Sequence, residues 1–119
     1  MSLYPTEKQV NALKAGNSNE KVVMLKLLVF KNPEAYAEYG NRVKTILPDY
    51  SGKVLFNGAF RSVLIGDDVP KFEAVLLVEY ANHNKFLEMT SSEAYLSFHH
   101  FREEGLESQW LLSLTPFQS

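Results

Sequence analysis

The stretch Val22-Val-Met-Leu-Lys-Leu-Leu-Val-Phe30 decides the fold. It is a nine-residue run of β-branched and aliphatic side chains closed by Phe30, and Lys26 is its only polar member. Successive side chains of a strand point to opposite faces, so this strand is apolar on both and must be covered on both. One layer of helices in a short chain covers a single face. The other face calls for a second sheet, supplied by another copy of the same chain.

Upstream, Pro5 to Gly16 reads as a short helix with Thr6 as its N-cap, Val10 and Leu13 on one face and Gly16 as its stop. So narrow an apolar stripe needs docking, with Leu3 and Tyr4 as anchors. Downstream, Asn32-Pro33 is an N-cap followed by proline at the first helical position, and the helix runs to about Leu47. Its apolar face carries Tyr36, Tyr39, Val43, Ile46 and Leu47. Gly40, mid-helix at a cost of about 1 kcal/mol against alanine, predicts close approach to a neighbour. Lys53 to Ile65 reads as a long strand with a bulge at Asn57-Gly58, and Gly66 to Lys71 as a hairpin loop, with Asp67-Asp68 in its turn. Phe72 to Tyr80 is the third strand. Asn82 caps a short helix through Met89, and Thr90-Ser-Ser-Glu93 has the capping-box spacing that starts another, running to about Glu104 and ended by Gly105. Gln109 to Leu114 is the last strand.

After the N-terminal helix the order is therefore β-α-β-β-α-β. The fold class is α+β, a ferredoxin-like sandwich whose antiparallel four-stranded sheet has the order 4-1-3-2 with both helices on one face. The chain reads as a single domain over 1–119, in which 1–20 form the N-terminal helix and linker and 21–116 the ferredoxin-like half. The helices are expected on the odd-numbered face of the first strand (Val23, Leu25, Leu27, Val29). Met24, Lys26, Leu28 and Phe30 are then left bare. Two bare apolar faces packed together give a two-fold homodimer, a dimeric α/β barrel.

Composition narrows the function. The 119 residues are 45% hydrophobic and 22% charged, which is ordinary for a globular chain. The absence of cysteine excludes disulfides, thiol nucleophiles and thiolate metal sites. Twelve basic and fourteen acidic residues are scattered without a basic stripe, so no nucleic-acid partner is expected. No apolar run approaches the ~20 residues of a membrane span, and Met1 to Glu7 has no signal-peptide pattern, so a cytoplasmic location is expected. There is no glycine-rich phosphate loop and no nucleophile elbow, and no cofactor is expected. His99 and His100 diverge on a helix, and pairing either with Glu103 or Glu104 gives only two ligands, so no metal is expected.

A few polar residues remain as pocket candidates. Lys26 on the bare face needs a partner or a depressed pKa, and Glu79 on the neighbouring strand is the expected partner. A structural ion pair is the plainer reading, a ligand anchor the sharper one. Tyr95, His99 and Arg102, at i, i+4 and i+7, line one face of the last helix and can present a phenol, a base and a cation to a pocket. The plainer reading makes Tyr95 core, His99 a rim residue and Arg102 the partner of a carboxylate. Tyr39 is the better pocket candidate of its helix, with Tyr36 more simply core. Arg61, on the long second strand, suits either an anionic ligand or an exposed pair.

The segments Tyr4-Pro-Thr-Glu, Val23-Met-Leu-Lys-Leu-Leu-Val-Phe30, Glu34-Ala-Tyr-Ala-Glu-Tyr39, Ala74-Val-Leu-Leu-Val-Glu-Tyr80, Phe86-Leu-Glu-Met89, Glu93-Ala-Tyr95, Arg102 and Gly105-Leu-Glu together resemble a family known as domain of unknown function 1330. Lys26 stands where the family pattern has asparagine, and Ala81 where it has proline. The resemblance implies the dimeric α/β-barrel superfamily, which includes cofactor-free monooxygenases, muconolactone isomerase-like enzymes and ligand-binding proteins. It carries no catalytic residue across. The expected function is binding of a small organic molecule in a pocket between sheet and helices. The alternatives are a cofactor-independent enzyme on a small metabolite, monooxygenase- or isomerase-like, and a structural interaction module with a filled, dry interior.

Overall fold

In the computed structural model, which describes residues 3–117, the deciding stretch forms β1 (Val22–Phe30) in the interior of a four-stranded antiparallel sheet. β1 pairs on one side with β3 (Ala74–Tyr80) and on the other with β4 (Leu106–Leu114), while β2 (Lys53–Ala59) forms the far edge beyond β3. The order β2-β3-β1-β4 is the expected 4-1-3-2 read from the opposite edge. The sheet of this one chain does not close on itself, and the fold is ferredoxin-like α+β.

The capping signals place the helices as read. Thr6 and Gln9 form a reciprocal capping box at α1 (Glu7–Lys14). Asn32 Oδ1 accepts from the backbone N–H groups of Glu34 and Ala35 at the start of α2 (Pro33–Ile46), which a 3₁₀ turn over Leu47–Tyr50 continues. Asn82 caps α3 (His83–Thr90). Ser92, not Thr90, caps the next helix, which is interrupted at His99 into α4 (Glu93–Phe98) and α5 (His100–Gly105). A tighter i→i+3 bond from the Arg102 N–H to the His99 carbonyl marks the break. Gly105 packs so closely on α2 that a Cβ there would fall 2.6 Å from the Tyr36 nitrogen. Its carbonyl accepts from Lys31 and Asn32, locking the start of α2 to the end of α5.

The expected assignment of the sheet faces is reversed. Val22, Met24, Lys26 and Leu28, all of even parity, are buried in β1, as is Val29 near its end, whereas Val23, Leu25 and Leu27 are half-buried. Val22 and Met24 share a core with Tyr39, Val78, Tyr80, Met89, Tyr95 and Phe98, so the even face meets the helices and the odd face is bare. Both parities of β1 are apolar, and hydrophobicity alone cannot choose between them. The reversal carries Lys26 to the helix-covered side, where a gap beneath α2 accommodates it.

The second strand is shorter than expected. Ladder pairing ends at Ala59↔Ala74, and beyond it the backbone finds no partner strand, so residues 60–73 form a loop. A bond from the Phe60 N–H to the Glu73 carbonyl (2.8 Å) and a Phe60–Phe72 ring contact (4.8 Å) close its base. The register shift lies between Val54 and Phe56, which makes Leu55 the extra residue in place of Asn57-Gly58.

Candidate functional site

The gap beneath α2 is a partly open cavity of about 260 Å³. Its floor is the even face of the sheet, with Lys26 and Leu28 from β1, Leu76, Val78 and Tyr80 from β3, and Val54 and Asn57 from β2. Its roof is α2, through Tyr36, Tyr39, Gly40 and Val43, with Asn41 and Lys44 beside them. Gly40 makes room for it. No atom lies within 4 Å of where its Cβ would stand, so the mid-helix glycine marks an opening and not the expected close contact.

Lys26 is the charged group of this floor. It is 8% exposed, and its Nζ sits 5.9 Å from the centroid of the Tyr39 ring. No carboxylate lines the cavity, and none of the described residues lies within ion-pair distance of Lys26. Burial first, and then the positive charge of Arg102, lowers its pKa from 10.5 to about 8. The predicted Lys26–Glu79 pair is absent because the register sets Lys26 opposite Leu76 and Glu79 opposite Val23. Glu79 therefore lies on the bare face, 3.7 Å from Lys21.

Around the amine stands a cluster of tyrosines. The Tyr39 and Tyr95 hydroxyls are hydrogen-bonded at 2.7 Å, joining α2 to α4 across the core. Burial, followed by the neighbouring Tyr95, holds the Tyr36 and Tyr39 hydroxyls above the usual phenol range, and burial does the same at Tyr80. These groups stay neutral.

Of the sequence candidates, the fold thus brings Lys26, Tyr39 and Tyr95 together. Arg102 reaches the site through its charge alone. Both of its terminal nitrogens donate to the Leu3 carbonyl, and its guanidinium lies 5.3 Å from the Tyr4 ring centroid, in place of the expected carboxylate partner. It fastens the segment before α1, where Leu3 and Tyr4 were the expected anchors. His99 is partly exposed, with Nδ1 2.8 Å from the Leu96 carbonyl and Nε2 3.6 Å from Glu103. Arg61 is exposed in the loop after β2, outside the cavity lining. Among the described residues no three His, Asp or Glu side chains gather as a metal site, and no helix is long and apolar enough to cross a membrane. Gly40, Asn57, Leu76 and Tyr80 are among the cavity residues that were not sequence candidates. Gly40 carried a visible signal, and the others became legible only with the register.

The family model described as "Domain of unknown function (DUF1330)" matches residues 21–113. No curated protein sequence matches the chain. Among solved structures, the RPA0582 protein of unknown function from Rhodopseudomonas palustris is 25% identical, with 98% of each chain covered and a TM-score of 0.86. A dimeric ferredoxin-like protein of unknown function from Thermobifida fusca YX is 8% identical over 85% of this chain and 95% of that one, with a TM-score of 0.58. SnoaB, a cofactor-independent oxygenase from Streptomyces nogalater, is 11% identical over 84% of this chain and 96% of that one, with a TM-score of 0.60. The last two share the fold alone.

Proposed function

This chain belongs to the family described as domain of unknown function (DUF1330), and from that premise we propose that it is a homodimeric protein that binds a small organic molecule in the cavity between α2 and the sheet. The observation that carries the reading is Lys26, an amine with no anionic partner among the described residues, in a mostly apolar cavity. A structural module would have its interior filled by side chains. Here about 260 Å³ is left open over the polar group, just below the volume of drug-sized sites and suited to a ligand of about one ring.

The homodimer rests on the opposite face of the same sheet. Directly paired residues of antiparallel strands share a face. The register therefore aligns Val23, Leu25 and Leu27 with Val75 and Leu77 of β3, with Phe56 of β2, and with Trp110, Leu112 and Leu114 of β4. In the single chain Phe56 is 51% and Trp110 44% exposed. So continuous an apolar face fits an identical face related by a two-fold axis.

Native mass spectrometry of the purified protein tests both statements. A dimer mass is expected, with small-molecule mass retained by the wild type and lost in Gly40→Leu, whose side chain enters the cavity from its roof. Ligand mass retained by a folded Gly40→Leu dimer would place the site elsewhere.

A further inference from the structure

We infer that Lys26 is a covalent anchor, condensing through Nζ with the carbonyl carbon of an aldehyde or ketone ligand to form an imine. The inference deepens the small-molecule reading above and rests on it.

The surroundings of Nζ carry the argument. Among the described residues, the titratable or charged groups that line the cavity around it or act on it are Tyr36, Tyr39 and Lys44 from α2, Tyr80 from β3 and Arg102 from α5, with Tyr95 of α4 bonded to Tyr39 behind them, and none is a carboxylate. An ion-paired lysine is held as an ammonium, with its lone pair occupied by a proton. Here desolvation and a neighbouring cation act in the opposite sense, and these two conditions are what turn a lysine into a nucleophile. With the pKa at about 8, roughly a tenth of the chains carry a free amine at pH 7, against well under a thousandth for a lysine at 10.5.

The same surroundings decide between a carbonyl and a carboxylate ligand. A carboxylate has to shed its hydration to enter an apolar cavity and meets one buried cation there, because Lys44 on the lining is exposed to solvent and the Arg102 guanidinium is already engaged with the Leu3 carbonyl. A neutral carbonyl compound enters without that cost, and its ring or chain packs on the Tyr39 and Leu76 walls.

The condensation balances without an oxidant or reductant. The Nζ lone pair attacks the carbonyl carbon, the π pair moves to oxygen, and oxygen takes up the proton that nitrogen loses. The carbinolamine hydroxyl, protonated once more from solvent, leaves as water while nitrogen forms the C=N bond, and nitrogen then returns its remaining proton to solvent to give the neutral imine. One water is released and the aldehyde carbon keeps its oxidation level.

The test treats the purified dimer with limiting benzaldehyde at neutral pH and traps any imine with sodium cyanoborohydride. Intact mass and peptide mapping follow. One benzyl group per chain on Lys26, ahead of exposed lysines such as Lys8 and Lys53, is the expected result. Its initial rate should rise with pH up to about 8 and level above it, while the exposed lysines keep accelerating. Lys26→Met should lose the fast adduct, and mapping of the wild type reads the position even if that variant is altered. Benzyl alcohol, with the same ring and no carbonyl, is titrated in parallel by NMR. If the alcohol binds in the cavity and label spreads over surface lysines with Lys26 spared, the imine is refuted and the pocket stands. If neither compound enters the cavity, both readings fail.

Discussion

Replacing Lys26 by methionine should stabilise the ligand-free protein at neutral pH. The folded chain holds Lys26 at about 8, and the unfolded chain holds it at 10.5. At pH 7 both states bind the proton, and the folded state carries the full penalty of a desolvated charge beside Arg102. At 1.36 kcal/mol per pH unit, that penalty is about 3 kcal/mol. Between about pH 8 and 10.5 the unfolded chain keeps a proton that the folded chain has released, so the wild type gains stability as pH rises through this window. Above 10.5 both states are neutral at Lys26 and the penalty is gone. Methionine occupies a similar volume without charge, as Met24 does on the same face of the same strand. Lys26→Met should therefore gain about 3 kcal/mol at pH 7 and close to nothing at the upper end of the window. Urea unfolding of both proteins reads the difference, with ligand removed and protomer concentration fixed because dimerisation enters the apparent stability. A variant less stable than wild type at pH 7, or a gain independent of pH, would refute the account of Lys26 as an uncompensated buried amine.

Three further substitutions probe the surrounding structure. Gly40→Ala meets no atom within 4 Å and removes a helix-interior glycine, so a gain of about 0.5–1 kcal/mol in urea unfolding is expected; a loss would mean that the roof of the cavity is tighter than it looks. Tyr39→Phe leaves the Tyr95 hydroxyl buried without its 2.7 Å partner and should cost about 1–3 kcal/mol, whereas Tyr95→Phe with Tyr39→Phe together should cost less than the sum of the two single changes. Leu25→Glu puts a charge at the middle of the bare face, and analytical ultracentrifugation should then find a folded monomer. A persistent dimer would move the interface off this sheet.

Element order and strand order were readable because the signals are local and strong. Thr6, Asn32 and Asn82 cap the helices they were expected to cap, and β1 is apolar along its whole length. What could not be read depends on distant partners. Arg61 to Ile65 has the composition of a strand, yet β3 begins only at Ala74, and without a neighbour the segment stays in a loop with Leu64 93% exposed. His99 and Arg102 have the spacing of one helix face, but the tightened bond at His99 re-aims the last turn, and Arg102 binds a backbone carbonyl contributed from ninety-nine residues earlier. The face of β1 was undetermined for a different reason. Both parities are apolar, and the deciding fact is a void under Gly40, which a sequence records only as a missing side chain.

The two halves of the Lys26 account are linked through stability. Native domains hold roughly 5–15 kcal/mol in reserve, so a penalty of about 3 is a large share of it, and among the described residues only the Tyr39 ring, 5.9 Å from Nζ, opposes it. On the imine reading, a bound carbonyl compound supplies the offset. An imine nitrogen is a weaker base than the amine it replaces, so condensation removes the charge from the cavity as methionine does. Saturating benzaldehyde should then raise the thermal midpoint of the wild type toward that of Lys26→Met, beyond the shift that benzyl alcohol produces at equal occupancy. In Lys26→Met the two compounds should act alike. If they act alike in the wild type as well, the amine takes no covalent part, and its burial has to be explained by contacts that the free protein does not make.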